Sequence, residues 1–182
     1  MMNYPLQITK MIQAAGVILA HHKRRPLGRW RLLKLMYIAD REVLRQTGRP
    51  ICGGNQVAMN HGPLHSEMYD AIKGGDPKFA DWSRFMRTEG ISVVLVADPG
   101  TGKLTRLDEQ VLRQVVDKYG YMPDRALRKL VHEFKEFAEH EPRGGSSRRI
   151  PWESIIEAVG LGPWLKSIEA EERARSAPLP TK

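Results

Sequence analysis

The segment "NHGPLHSEMYDAIKG" (60–74) gathers His61, His65, Ser66, Glu67 and Tyr69. These are the residue types of a general base, a nucleophile and an acid. The spacing works against that chemistry. Ser66 and His65 are neighbours in sequence, a poor arrangement for a nucleophile and its base, and no G-x-S-x-G elbow surrounds Ser66. His61 and His65 are four apart, but Gly62-Pro63 between them argue against one continuous helix and so against a shared metal-binding face. "HEFKEF" (132–137) begins like a zincin helix and lacks the second histidine four residues on. Cys52 is the single cysteine, so no thiolate cluster can form within the chain. "DPGTGKLT" (98–105) resembles a phosphate-binding loop, yet Leu104 follows Gly102-Lys103 and Ala97 stands where the first glycine belongs. A hairpin turn is the expectation there. No catalytic, cofactor-binding or metal-ligating residue is assigned, and the chain is expected not to be an enzyme.

The same segment reads as the start of a helix. Gly62 allows a backbone turn that other residues resist. Pro63 has no N–H to satisfy, which suits a first helical turn. Glu67 offsets the exposed N–H groups of that turn, and Met68, Tyr69 and Ile72 form the apolar stripe. A helix over 62–73 is expected, stopped by Gly74-Gly75. On this reading every residue except the two histidines has a structural task.

Other elements must position this segment. Ile8, Met11, Ile12, Ala15, Ile18 and Leu19 lie on one helical face, which predicts an amphipathic first helix over about 8–22. The charges "HHKRR" follow its apolar part, the reverse of a signal peptide, and no run approaches the ~20 apolar residues a membrane span needs. "RWRLLKLMYIADREVLRQT" (29–47) is the second helix, with Gly48 as its C-cap. A short extended piece is expected at Gln56–Met59. Phe85–Thr88 and Ile91–Ala97 are expected to pair as an antiparallel hairpin across Glu89-Gly90. Thr105-x-x-Asp108 forms a capping box before a helix that ends at Gly120. One helix is expected over 123–137, a polar loop over 139–150, and two more helices opened by Pro151 and Pro163. The fold class is therefore mainly α (α+β), a single helical domain over 1–175 with a small antiparallel β-sheet or hairpin insert. A disordered tail is expected at 176–182.

Net charge is +8, from 29 basic and 21 acidic residues. The excess clusters in "HHKRRPLGRWRLLK" (21–34), which contains no acid, and in "RGGSSRR" (143–149). Such patches attract nucleic acid or an acidic protein surface. No zinc-finger spacing or RNP-type aromatic motif adds specificity for nucleic acid. Arg29, Trp30 and Arg31 combine the residue types that concentrate binding energy and are the candidate partner-binding residues. Lys34 and Asp40 stand beside apolar positions of the second helix; both are expected at the edge of the core, each paired or reaching water. The lone thiol fits a reducing, cytoplasmic compartment.

"LLKLMYIADREVLRQTGRPI" followed by "VAMNHGPLHSEMYDAIKG" resembles the Panacea domain of SocA-like antitoxins. That family carries an L-x-K-L-x-Y-x-A helix, a short strand and a G-P-x-x-x-x-x-Y helix start. "LDEQVLRQVVDKYGYMPDRALRKLVHEFKEF" and the later "IPW" resemble its distal half. Lys34, Leu35, Tyr37, Ala39, Gly62, Pro63, Tyr69, Tyr119, Gly120, Leu130, His132, Pro151 and Trp152 are the matching positions, and Val131 replaces the usual threonine before the histidine. The resemblance covers residues 8 to about 160. Lys34, Tyr37, Asp40, Gly62, Pro63, Tyr69, His132 and Trp152 are expected to be structural. The resemblance implies an antitoxin that neutralises a protein toxin encoded by the neighbouring gene through direct, stoichiometric contact, without cofactor or membrane. Some relatives instead deliver the toxin to a protease. The reading from charge alone is a nucleic-acid-binding regulator acting through 21–34 and 143–149.

Overall fold

The computed structural model describes residues 1–177. At its centre lie α1 (Ile8–His21) and α2 (Arg29–Thr47), crossed by α5 (Arg106–Tyr119). The first helix is more than amphipathic: every residue from Met11 to Leu19 is buried. In α2 the buried run is Leu32 to Asp40, continuing at Val43 and Leu44. Both helices are covered on several sides, so their polar residues must find partners inside the fold. Gly48 ends α2 in the left-handed conformation expected of a C-cap (φ 73°). The capping box before α5 forms as expected: the Thr105 hydroxyl accepts the Asp108 N–H and the Asp108 carboxylate accepts the Thr105 N–H.

Two three-stranded antiparallel sheets flank these helices. One has the order β1 (Leu27–Gly28), β5 (Ser92–Leu95), β4 (Met86–Glu89), and contains the expected hairpin, turned one residue later than expected, at Gly90-Ile91, with Thr88 opposite Val93. The other, β3 (Gly62–His65), β2 (Gln56–Met59), β6 (Arg148–Ile150), was not expected; Val57 faces Leu64 on one side and Arg149 on the other. Its existence corrects two expectations. Gly62–His65 is an edge strand rather than the first turn of a helix, a place where a proline without N–H is tolerated. The polar loop over 139–150 ends in a strand, because β2 offers Arg148–Ile150 a free edge.

The remaining elements are α3 (Ser66–Lys73), α4 (Trp82–Phe85), α6 (Asp124–His132), α7 (Lys135–His140), α8 (Trp152–Ala158) and α9 (Leu165–Ser176). The helix expected over 123–137 is two helices. The backbone turns extended at Phe134, which lets Glu136 and Phe137 enter the core on a new axis. "DPGTGK" is not a hairpin turn; it links β5 to α5 and crosses α1 where a Cβ on Gly16 would stand 2.5 Å from Pro99. Gln13 fastens that link, accepting the Lys103 N–H and donating to the Pro99 carbonyl. The main core joins α1, α2, α5 and both sheets. A second cluster packs Met2, Tyr4, Tyr37, Phe137, Trp152 and Ile156 beneath α7 and α8. The expected disordered tail begins at Ser176, which still belongs to α9, and from residue 178 lies outside the described residues. Among the described residues, no helix is long and apolar enough to cross a membrane.

Candidate functional site

Two groups of polar side chains come together. The first is buried. Asp40 Oδ1 accepts the amide N–H of Ile51 at 2.7 Å and of Cys52 at 3.4 Å. Cys52 Sγ lies 3.8 Å from Asp40 Oδ2 and 3.4 Å from His65 Nε2. His65 Nε2 donates to the Gly53 carbonyl at 2.7 Å, and its Nδ1 accepts the Met68 N–H at 3.2 Å. These two bonds assign the neutral tautomer. His65 is therefore the N-cap of α3, a structural task that its neighbours in sequence do not announce. Glu67 stands 3.5 Å from the same Nδ1, but a neutral ring makes no ion pair with it; Glu67 instead accepts the Asn55 N–H at 2.9 Å. Asp40 is wholly buried, not at the edge of the core as expected, and backbone amides are its partners.

Asp40, Cys52 and His65 place ligand-type atoms within 4.8 Å of one another. Their chemistry is nonetheless structural. Burial pushes the Asp40 carboxyl up to about 7, raises the Cys52 thiol, and lowers His65. A sealed, protonated thiol beside a neutral imidazole is no nucleophile. A cation would have to displace the His65–Gly53 hydrogen bond. The cluster instead fastens the 51–54 turn between α2 and β3. Nothing in the sequence marks positions 40, 52 and 65 as neighbours, so sequence reasoning misses it.

The second group is open to solvent. A cleft of about 440 Å³ lies where α2 begins, walled by Trp30, Lys34, His61, Leu127 and Arg128. Trp30 is half-buried, packs at a tilt on His61 (4.5 Å between centroids, 30° between planes) and stacks on Tyr69 (5.4 Å). The Arg29 guanidinium sits 5.4 Å from the Trp30 ring and Lys34 Nζ 5.9 Å from it. Arg31 turns away: it donates to the Gly120 carbonyl at 2.8 Å and pairs with Asp124, tying α2 to the start of α6. So of Arg29, Trp30 and Arg31, the first two shape the cleft and the third fastens its wall. Lys34 is only 7% exposed, but its Nζ opens onto the cleft at the edge of the core, as expected, with no protein acceptor among the described residues. Burial first, then the neighbouring Arg128, lower its ammonium to about 8. Partial burial and then Lys34 lower His61. Arg125 and Arg128, three apart on α6, complete the cationic wall. Their helical spacing was a signal the sequence offered.

The other motif positions do structural work. Tyr37 donates to Glu136 at 3.1 Å in the core. Gly62 has φ 112°, and a Cβ there would stand 2.9 Å from Val131 Cγ2. Pro63 pairs with Ala58. His132 packs on Phe137 with ring centroids 4.5 Å apart. Trp152 donates to the Gly54 carbonyl at 2.9 Å. The basic patch 143–149 is exposed and ends in β6.

Fold and site together define a small helical module with a cationic, aromatic cleft at its surface. Over residues 32–137, more than half of its length, the chain matches the model of the family described as antitoxin SocA-like, Panacea domain, and it belongs to that family. No curated protein and no solved structure matches it. The match holds Lys34, Tyr37, Asp40, Gly62, Pro63, Tyr69 and His132; Arg29, Trp30, Arg31 and Trp152 lie outside it.

Proposed function

We propose that the chain is the antitoxin of a toxin–antitoxin pair and neutralises a protein toxin, encoded by the neighbouring gene, by direct contact and without turnover. Family membership carries this reading. The cleft supports it, since tryptophan and arginine beside apolar walls are the residues on which protein interfaces concentrate their energy. The test is a titration of toxin activity at fixed toxin concentration. Protection rises with added protein and levels off near a fixed molar ratio. Complete protection by a small fraction of an equivalent, with no protease present, would mean turnover and would sink the binding mechanism. Delivery of the toxin to a protease is the variant in which protection needs that protease.

A second reading, a nucleic-acid-binding regulator, rests on the exposed Lys23, Arg24 and Arg25 and on the 143–149 patch. It requires binding to duplex DNA that weakens steeply with salt. A purified protein that forms a stable complex with the neighbouring gene product and shows no such binding excludes it.

A further inference from the structure

We infer that the cleft at the start of α2 is a carboxylate site, in which Lys34 and Arg29 receive an acidic side chain of a protein partner beside the Trp30 ring. This rests on reading the chain as a binder of a protein toxin, and names what the toxin must present.

The start of α2 is built against its own stability. A helix N-terminus carries partial positive charge and favours acidic residues. Here the first turn holds Arg29 and Arg31 with no acid, and no side chain caps it. Lys34, one turn further on, is more than nine-tenths buried; its Nζ opens onto the cleft, and no protein acceptor reaches it among the described residues. A buried cation without a partner is costly, and the cost falls away when an anion arrives. Arg29 leaves its Nε buried and unbonded. Arg125 and Arg128 stand on the facing wall, and Asp124, the carboxylate at that wall, is already taken by Arg31. The cleft thus holds an ammonium and a guanidinium, each within 6 Å of the Trp30 ring, beside an uncapped helix start, and its one lining carboxylate, Asp124, is already paired.

Three features favour a protein over a nucleic acid. Leu127 lines the cleft, and Ile91, 70% exposed, stands at its rim; apolar walls suit a peptide and are of no use to a phosphodiester. Trp30 is already engaged by His61 and Tyr69 instead of standing open for a base. Asp124 and Glu141 interrupt the cations along this surface, where a strand of phosphates needs a continuous track.

The test uses the full chain and four probes: a short peptide carrying glutamate beside leucine, its glutamine counterpart, inorganic phosphate, and a single-stranded oligothymidine. Binding is followed through the Trp30 indole N–H in nitrogen-15 spectra. The glutamate peptide shifts that signal and binds at least about tenfold more tightly than the glutamine peptide, as expected for a charge-assisted contact. Lys34→Met and Arg29→Gln each lose most of that difference. Arg45→Gln, about 24 Å along α2 from Arg29, leaves it unchanged. Lys34→Met also melts no lower than the parent, because it removes an unpartnered buried charge. A Lys34→Met protein that binds like the parent, or melts well below it, overturns the assignment. So does preference for phosphate or oligothymidine over the glutamate peptide. The toxin then separates the two claims. Neutralisation by both parent and Lys34→Met overturns the carboxylate site alone. Peptide binding without neutralisation by the parent overturns the antitoxin reading alone.

Discussion

Asp40 shows how one residue can couple the fold to pH. Its carboxyl titrates at about 7 in the folded protein because burial outweighs the two amide bonds it accepts; in an unfolded chain it titrates at about 3.9. The folded state therefore holds the proton more tightly. The stability this gives is fully present below about pH 4 and is lost as pH rises through 7. His65, lowered by burial, acts in the opposite direction: its contribution returns as pH rises through the ordinary histidine range. Lys10, paired with Asp108 at 3.1 Å, and Glu67 are the charged neighbours of the cluster. Asp40→Asn keeps an acceptor for the Ile51 N–H and removes the titration. Its stability should fall less than the parent's between pH 4 and 7, with a gain on the order of a few kcal/mol at pH 8. Denaturant midpoints across that range measure it, and parallel curves for the two proteins would refute it. Gly62 is a simpler case. Its φ of 112° and its approach to Val131 leave no room for a side chain. Gly62→Val should lose about 2–4 kcal/mol and melt correspondingly lower. The need for glycine was legible in the sequence; its reason was not. The expected reason was a helix entry, and the actual ones are a strand end and the packing of α6.

At the scale of elements, local signals decided which expectations held. Gly48 and the Thr105–Asp108 box act within a few residues and place their boundaries where expected, while the β-branched run 92–97 forms its hairpin with the turn one residue later, at Gly90-Ile91. Partners distant in sequence decided the rest. β6 forms only because β2 lies alongside it, some 90 residues earlier in the chain. The break between α6 and α7 likewise answers to α2. Phe134 stacks on Tyr37 at 6.2 Å and lies under the Arg41 guanidinium at 4.3 Å. Two residues later, Glu136 accepts from Tyr37 at 3.1 Å and from Arg41 at 2.8 Å. A continuous helix over 123–137 would satisfy local propensity and leave these groups apart. Glu136→Ala should therefore cost about 2–4 kcal/mol, since it strands a buried hydroxyl and a mostly buried guanidinium. Tyr37→Phe should cost about 1 kcal/mol, because the remaining Arg41–Glu136 pair keeps both charges partnered. Urea unfolding of the two variants checks the order; equal losses would mean that Glu136 does not anchor α7 through its charge. The cleft was half legible for the same reason. Arg29 and Trp30 adjoin in sequence, whereas His61, Arg125 and Arg128 reach them only through the fold.

At the scale of the whole molecule, the family pattern and the folding unit do not coincide. The match runs from Leu32, inside α2, to Phe137, inside α7. It omits α1, whose buried face of Met11, Ile12, Ala15 and Ile18 belongs to the main core. It also omits β6 and α8, whose Ile150, Trp152, Ile155 and Ile156 close the second cluster. The N-terminal segment belongs to that closure as well: the Tyr4 hydroxyl donates to the Gly48 carbonyl at 2.5 Å, the Gly54 N–H donates to the Tyr4 carbonyl at 2.8 Å, and the Tyr4 ring meets Trp152 edge-on at 5.1 Å. Cutting at 32 and 137 would expose the inner faces of α2 and α5, truncate α2 at its first turn, and leave β2 with one free edge. Each large apolar side chain so exposed forfeits roughly 1.5–3 kcal/mol, and several are lost together from a fold whose total margin is of the order of 5–15 kcal/mol. A fragment spanning 32–137 should therefore show no cooperative thermal transition and little dispersion in its amide spectrum. A fragment spanning 1–160 should keep both, because it retains α1, β6 and α8 and gives up only the C-terminal segment that carries α9. Circular dichroism melts of the two fragments decide the matter. A sharp transition from 32–137 alone would mean that α1 and α8 decorate the family domain instead of completing it.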